Sequence, residues 1–176
     1  MKTKLIGLIK ILFWKLLYRR RLIVSGIPRN DLNSKIKLYK TGKMVMGKNC
    51  NISANSYLAA IDGGTIVLGD SVFFNRNAIV ASRNSIRIGN NCAFGPNVVI
   101  YDHDHCFSND GIESGYKLKT VTIGDNCWIG AGCIILRGAT IGEGCVIGAG
   151  TVITGEIPAH SKVLAKSSRE LEITSI

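Results

Sequence analysis

The sequence predicts an all-β fold, a parallel β-helix wound as a triangular prism, from three observations. From Ile123 to Pro158 the chain runs as six hexads, IGDNCW IGAGCI ILRGAT IGEGCV IGAGTV ITGEIP, each opened by an aliphatic residue. That period is neither the ~2 of a strand nor the ~3.6 of a helix, so it marks a repeat. The fifth hexad position is small (Cys127, Cys133, Ala139, Cys145, Thr151) until the terminal Ile157. Finally, 20 Gly against 3 Pro suits frequent tight bends inside regular structure.

A hexad supplies one side of the prism and three sides make one coil. The opening aliphatic residue points inward, the Gly after it permits a bend that a larger side chain would crowd, and the fifth residue sits in the narrow interior near a corner. Earlier in the chain the rhythm is degenerate, with fifth positions at Cys50, Ser56, Val72, Ala78, Cys92 and Val98. Coil starts at Met46, Leu68, Ile88, Ile123 and Ile141 are separated by 22, 20, 35 and 18 residues, which predicts about five coils over 46–158. The 35-residue step exceeds an 18-residue coil by 35 − 18 = 17, so a loop over 102–120 leaves the prism. Long loops on compact scaffolds are commonly functional.

Before the repeat lies a basic arm, residues 1–45, and after it a tail, 159–176. Helix-forming character runs from Leu5 to Tyr18, and the turn-rich stretch that follows, with the alternating segment Lys35–Tyr39, is expected to cap the first coil. Residues 1–48 carry thirteen Lys or Arg against the single Asp31, within a chain of formal charge +10. Such asymmetry points to an anionic surface or partner. Lys10 and Lys15 interrupt the apolar run, which makes 1–24 a poor membrane-spanning segment, and no small-residue cleavage site follows. Two expectations result: an interfacial helix at an anionic membrane, or a helix packed on the solenoid or on a neighbouring subunit. No nucleic-acid-binding motif is present, so a nucleic-acid partner is not expected.

Of the six cysteines, five fall on the small interior position and none forms a CxxC, so they are expected to be reduced core residues. This favours a reducing, cytoplasmic compartment, with the arm placing the chain peripherally at the inner membrane surface. Cys106 is outside the repeat phase.

The inserted loop opens YDHDHCFSND and holds His103 and His105; the third histidine, His160, lies past the last complete hexad. A rigidly held histidine can take a proton from a hydroxyl near neutral pH, and Asp102 and Asp104 are placed to orient it.

The hexads, the inserted loop with its histidine, and the endings VTIGDNCWIGAG and VIGAGTVITGEIPAHS resemble the hexapeptide-repeat acyltransferases. The nearest branch is that of the galactoside and maltose O-acetyltransferases with their surface-polysaccharide relatives, and the resemblance covers roughly residues 46–170. It implies a left-handed β-helix, a homotrimer with each site between two prisms, acetyl-CoA as donor and no required metal. It also implies a sugar or polysaccharide-precursor acceptor. The pattern GPNV at 95–98 followed by the family's catalytic histidine makes His105 the implied general base, with His103 a secondary, acceptor-binding candidate. Asn75 resembles the acceptor-binding asparagine. Arg83 falls where the sugar enzymes carry an acid, a departure that makes an anionic glycan easier to accommodate. Trp128, Ala131, Ala149, Thr154 and Arg169 match donor-site positions, although Gly155 replaces a frequent Lys or Arg and AKSSR replaces a GNPAK ending. A backbone N–H near Gly130 or Ala131 of an adjacent subunit is the implied oxyanion donor, and a covalent route through Cys106 ranks below direct transfer. Two other classes stay open: a carbonic-anhydrase-like metal protein, which needs three convergent histidines, and a non-enzymatic membrane-associated solenoid.

Overall fold

The computed structural model describes residues 2–31 and 33–165, with side chains from Leu8 onward. Three parallel sheets of seven, seven and six strands form the faces of a prism, and each strand pairs with its counterpart one coil away. Face A runs from Leu22–Val24 to Glu156–Ile157, face B from Arg29–Asn30 to Lys162–Val163, and face C from Lys35–Leu38 to Val152–Ile153. Among the described residues the prism therefore has six complete coils and two strands of a seventh, more than the five expected.

The extra coil is residues 22–38, expected to be a cap. It carries no hexad signature because its corner reads SGIP rather than Ile-Gly-x-Asn, yet its strands alternate buried and exposed like the others. Leu22 and Val24 point inward in line with Met44, Met46, Ile66, Leu68, Ile86 and Ile88 on face A, and Ile36 and Leu38 join the same core from face C, in line with Leu58 and Ala60. Phe74 and Phe94 stack at 4.6 Å on face B in the middle of that core.

The hexad positions have separate physical duties. Second-position glycine answers a close approach: a Cβ on Gly124 would lie 2.5 Å from the Glu143 nitrogen of the next coil. The fourth position takes the left-handed turn, at Asn126 (φ 58°) and Gly132 (φ 66°) for example, a conformation that Asn and Gly tolerate best. Third-position carboxylates and amides reach one coil back. The backbone N–H of Lys48 donates to Asp70 (2.7 Å), that of Asp70 to Asn90 (2.8 Å), and that of Asn90 to Asp125 (2.7 Å). The Asn90 backbone and side chain accordingly hold the Asp125 carboxyl below its usual range. Fifth-position thiols are buried and free, and Cys92, Cys127 and Cys145 each point at a carbonyl of the next coil at 3.1 Å. Burial pushes the Cys50 and Cys133 thiols up.

The N-terminal helix, Lys2–Tyr18, lies across the first coil, so the packing alternative holds for one of its faces. Ile11, Trp14 and Tyr18 are buried against the prism. First-coil carbonyls have no earlier strand to pair with, and side chains of the helix and of the 3-10 turn after it answer them. Lys10 Nζ donates to the carbonyls of Asp31 (2.7 Å) and Ser34 (2.9 Å), Lys15 Nζ to Val24 (3.3 Å), Tyr18 Oη to Ile36 (3.3 Å) and Arg21 Nη1 to Leu38 (3.2 Å). No described helix is long and apolar enough to cross a membrane.

Candidate active site

After Tyr101 the chain leaves the corner between faces C and A. The excursion expected as a loop is a two-stranded antiparallel hairpin, His103–Ser108 paired with Gly111–Leu118. Its register sets His105 opposite Tyr116 and His103 opposite Leu118, with an irregularity at Cys106. His103 and His105 are two residues apart on one strand, so both side chains share a face and line one cleft with Tyr101 and Asp104.

The root of the hairpin is fixed by Asp102, which is fully buried and accepts four donors. Oδ1 takes the Arg83 backbone N–H (2.8 Å) and His103 Nδ1 (2.9 Å), while Oδ2 takes Ser82 Oγ (2.6 Å) and the Asn84 backbone N–H (2.9 Å). An ionised carboxylate only accepts, so Nδ1 of His103 carries the proton and Nε2 is left as the acceptor of the neutral ring. This is the arrangement a general base requires: a carboxylate that fixes the tautomer behind an imidazole held in one orientation. Asp102 thus orients a histidine, the one after it. Asp104 instead pairs with Arg137 of the fifth coil and anchors the hairpin from that side.

His105 is exposed, and its ring leans on Tyr116 at 4.7 Å and 47°. Tyr116 also takes the His103 ring edge-on at 5.6 Å and lies 3.8 Å beneath the Arg83 guanidinium. Arg83 in turn bonds Asp62 (2.9 Å), which reaches Lys40 (3.0 Å), so a charged column climbs the corner between faces C and A from the first coil to the hairpin. Lys40 first, then Arg83, hold the Asp62 carboxyl below its usual range. The Arg83 charge is therefore answered within the chain, and the guanidinium serves as a wall that positions Tyr116. That weakens the motive for an anionic acceptor.

Tyr116 is the hub of this cluster, and reasoning from the sequence missed it. Its only signal there is a lone aromatic within the polar run GIESGYKLK, which acquires meaning once the hairpin register is known.

The remaining expected site residues separate. Asn75, Ala131 and Ala149 lie at the corner between faces B and C, and Trp128 is 59% exposed on face B above Ala93 and below Val146. Thr154 is exposed at the corner between faces C and A, two coils beyond Asp102. Arg169 lies outside the described residues. The two corners are joined by one strand of face C, so in a single chain they stand roughly 15–20 Å apart. Of the two expected oxyanion donors, Gly130 N–H already serves the Ile147 carbonyl (2.8 Å), which leaves Ala131. His160 sits at the third corner, 3.5 Å from Glu143, away from the other two histidines. Among the described residues no three His, Cys, Asp or Glu side chains group as metal ligands would.

Fold and site define a hexad-built parallel β-helix with a histidine-bearing hairpin at one corner, and the comparisons agree on the repeat and the fold. Residues 120–155 match the bacterial transferase hexapeptide (six repeats) family. The chain is 42% identical over 108 residues to Nodulation protein L of Rhizobium meliloti, an alignment covering 61% of this chain and 59% of that protein. It is 30% identical to a maltose O-acetyltransferase of Clostridium difficile 630, with a TM-score of 0.52 over 84% of this chain and 67% of that one. AntD, an N-acyltransferase of Bacillus cereus solved with a dTDP-sugar and coenzyme A, shares the fold: TM-score 0.70, 18% identity, 85% and 82% coverage. The chain belongs to the hexapeptide-repeat transferase family. It spans less than two thirds of the length of the curated relatives it matches, 59% of Nodulation protein L for instance.

Proposed function

We propose that the chain is an O-acetyltransferase, moving an acetyl group from acetyl-CoA to a hydroxyl of a sugar or surface-polysaccharide precursor. The observation that carries this reading is the pair of imidazoles on the hairpin, one of them backed by a buried carboxylate. Membership of a transferase family supports it, as does the occurrence of an O-acetyltransferase and a coenzyme A complex among proteins of this fold.

In the proposed reaction His105 Nε2 takes the proton of the acceptor hydroxyl as the oxygen attacks the thioester carbonyl. The Ala131 N–H of a neighbouring prism stabilises the oxyanion. The carbon–sulfur bond then breaks, and the imidazolium returns its proton to the leaving thiolate. No step calls on a metal. Since the histidines and the donor-matching alanines occupy different corners of one chain, a site needs a second prism to bring such corners together, and a homotrimer supplies three equivalent sites.

A second reading makes His103 the base, because its tautomer is fixed by Asp102 whereas no hydrogen bond orients the His105 ring among the described residues. Purified protein should release thiol from acetyl-CoA only when an acceptor glycan is added, with the glycan gaining one acetyl group. Donor hydrolysis that ignores every glycan offered would refute acetyl transfer to sugars.

A further inference from the structure

The N-terminal helix has two apolar faces, and only one is used by the prism. At about 100° per residue, Ile11, Trp14 and Tyr18 fall on the inner side. Ile9, Leu12, Phe13, Leu16 and Leu17 form a second stripe at the i, i+3, i+4, i+7, i+8 spacing. These five are 59, 57, 60, 78 and 56% exposed. Lys10 and Lys15 fall at the two seams between the stripes, and both ammonium groups turn inward onto first-coil carbonyls. The lysines that break the apolar run in the sequence are thus removed from the outer face, leaving it uniformly apolar where the side chains are described.

The surroundings of that face carry one sign of charge. Arg19 and Arg20 are exposed at the helix end, and Arg29, Lys35, Lys37, Lys43 and Lys48 point outward from the first two coils on all three faces of the prism. The one acid of residues 1–48, Asp31, is turned toward the chain, accepting the Ala54 backbone N–H at 2.9 Å. An apolar strip ringed by cations complements a surface that is anionic outside and hydrocarbon beneath.

We infer that the outer face of the N-terminal helix seats this end of the prism on an anionic lipid bilayer. The helix lies in the interface plane with its apolar stripe among the acyl chains, while the basic ring meets the headgroups. A free interfacial helix needs a polar face toward water; here the prism takes that place. The hairpin leaves the fourth coil, three spacings of about 4.8 Å from the first, so the catalytic corner stands roughly 15 Å beyond the helix-bearing end. This inference rests on the helix and its surroundings and is independent of the acetyl-transfer reading.

Removing residues 1–24 would be a poor test, because it also strips the first strand of face A and the cap of the first coil. Substitutions on the outer stripe leave both intact. The full chain should float with vesicles of phosphatidylcholine and phosphatidylglycerol and not with phosphatidylcholine alone. The triple variant Leu12→Ser, Phe13→Ser, Leu16→Ser should lower the bound fraction about ten-fold or more at unchanged melting temperature and unchanged mass in solution. A second variant, Arg19→Gln with Arg20→Gln, should weaken binding less, and added salt should narrow the gap between it and the parent. Failure of the parent chain to float, or full flotation of the triple variant, would overturn the inference. So would a fall in solution mass of the triple variant with vesicle binding retained, which would make the stripe a contact between copies.

Discussion

The coils and the hairpin put the same residue types to opposite uses. In the coils, Asp70 and Asp125 are surface carboxylates that accept a backbone N–H from the neighbouring coil, and five cysteines fill interior corners. At the hairpin root Asp102 is fully buried, gathers three donors from residues 82–84 and has one oxygen lone pair left to fix an imidazole, while Cys106 is half-exposed. Where each coil can be completed by the next, polar groups are consumed in stacking. Where the rhythm is interrupted, they become available for chemistry.

This division makes separable expectations, because hairpin substitutions should alter turnover at constant stability and coil substitutions the reverse. The largest effect is expected from His105→Ala, a loss on the order of 10²–10⁴ in kcat with an unshifted thermal transition. Measuring His103→Ala alongside ranks the two imidazoles; a larger loss at His103 would move the base to the Asp102-backed ring. Phe94→Ala should next remove about 3–5 kcal/mol of folding stability, seen in denaturant melts, because the ring lies in the middle of the stack and its cavity cannot collapse. Turnover per folded molecule should stay near that of the parent. Gly124→Ala is smaller, about 1–3 kcal/mol, since its Cβ would meet backbone rather than a flexible side chain. If it melted like the parent, close coil approach would not be the reason for second-position glycine. The mildest test is chemical. In the native protein iodoacetamide should modify Cys106 first, and the five interior thiols should react only after unfolding, as mass spectrometry would report.

Much of the prism was legible because a hexad states its geometry residue by residue. Ile123, Gly124, Asn126 and Cys127 each meet a distinct demand of inward packing, close approach, left-handed turn and narrow corner. The first coil was not legible, since Leu22–Leu38 packs the same core without those turn residues. The hairpin's existence followed from surplus length, but its content did not. That Asp102 turns inward, that Arg83 is neutralised by Asp62, and that Tyr116 joins three side chains all depend on contacts between residues 11 to 33 apart in sequence, some of them across an irregular register. The helix itself was legible, from Leu5 to Tyr18, but the duty of its lysines was not. Its lysines look like interruptions until one sees that the first coil's unpaired carbonyls require them.

That cap has a consequence beyond stability. A coil whose carbonyls stand open on three faces is a template on which a second prism of identical rise could continue stacking, and repetition of that contact would build a fibre. By answering those carbonyls with side chains that have no strand direction and no register, the helix and the turn after it tell the solenoid where to stop.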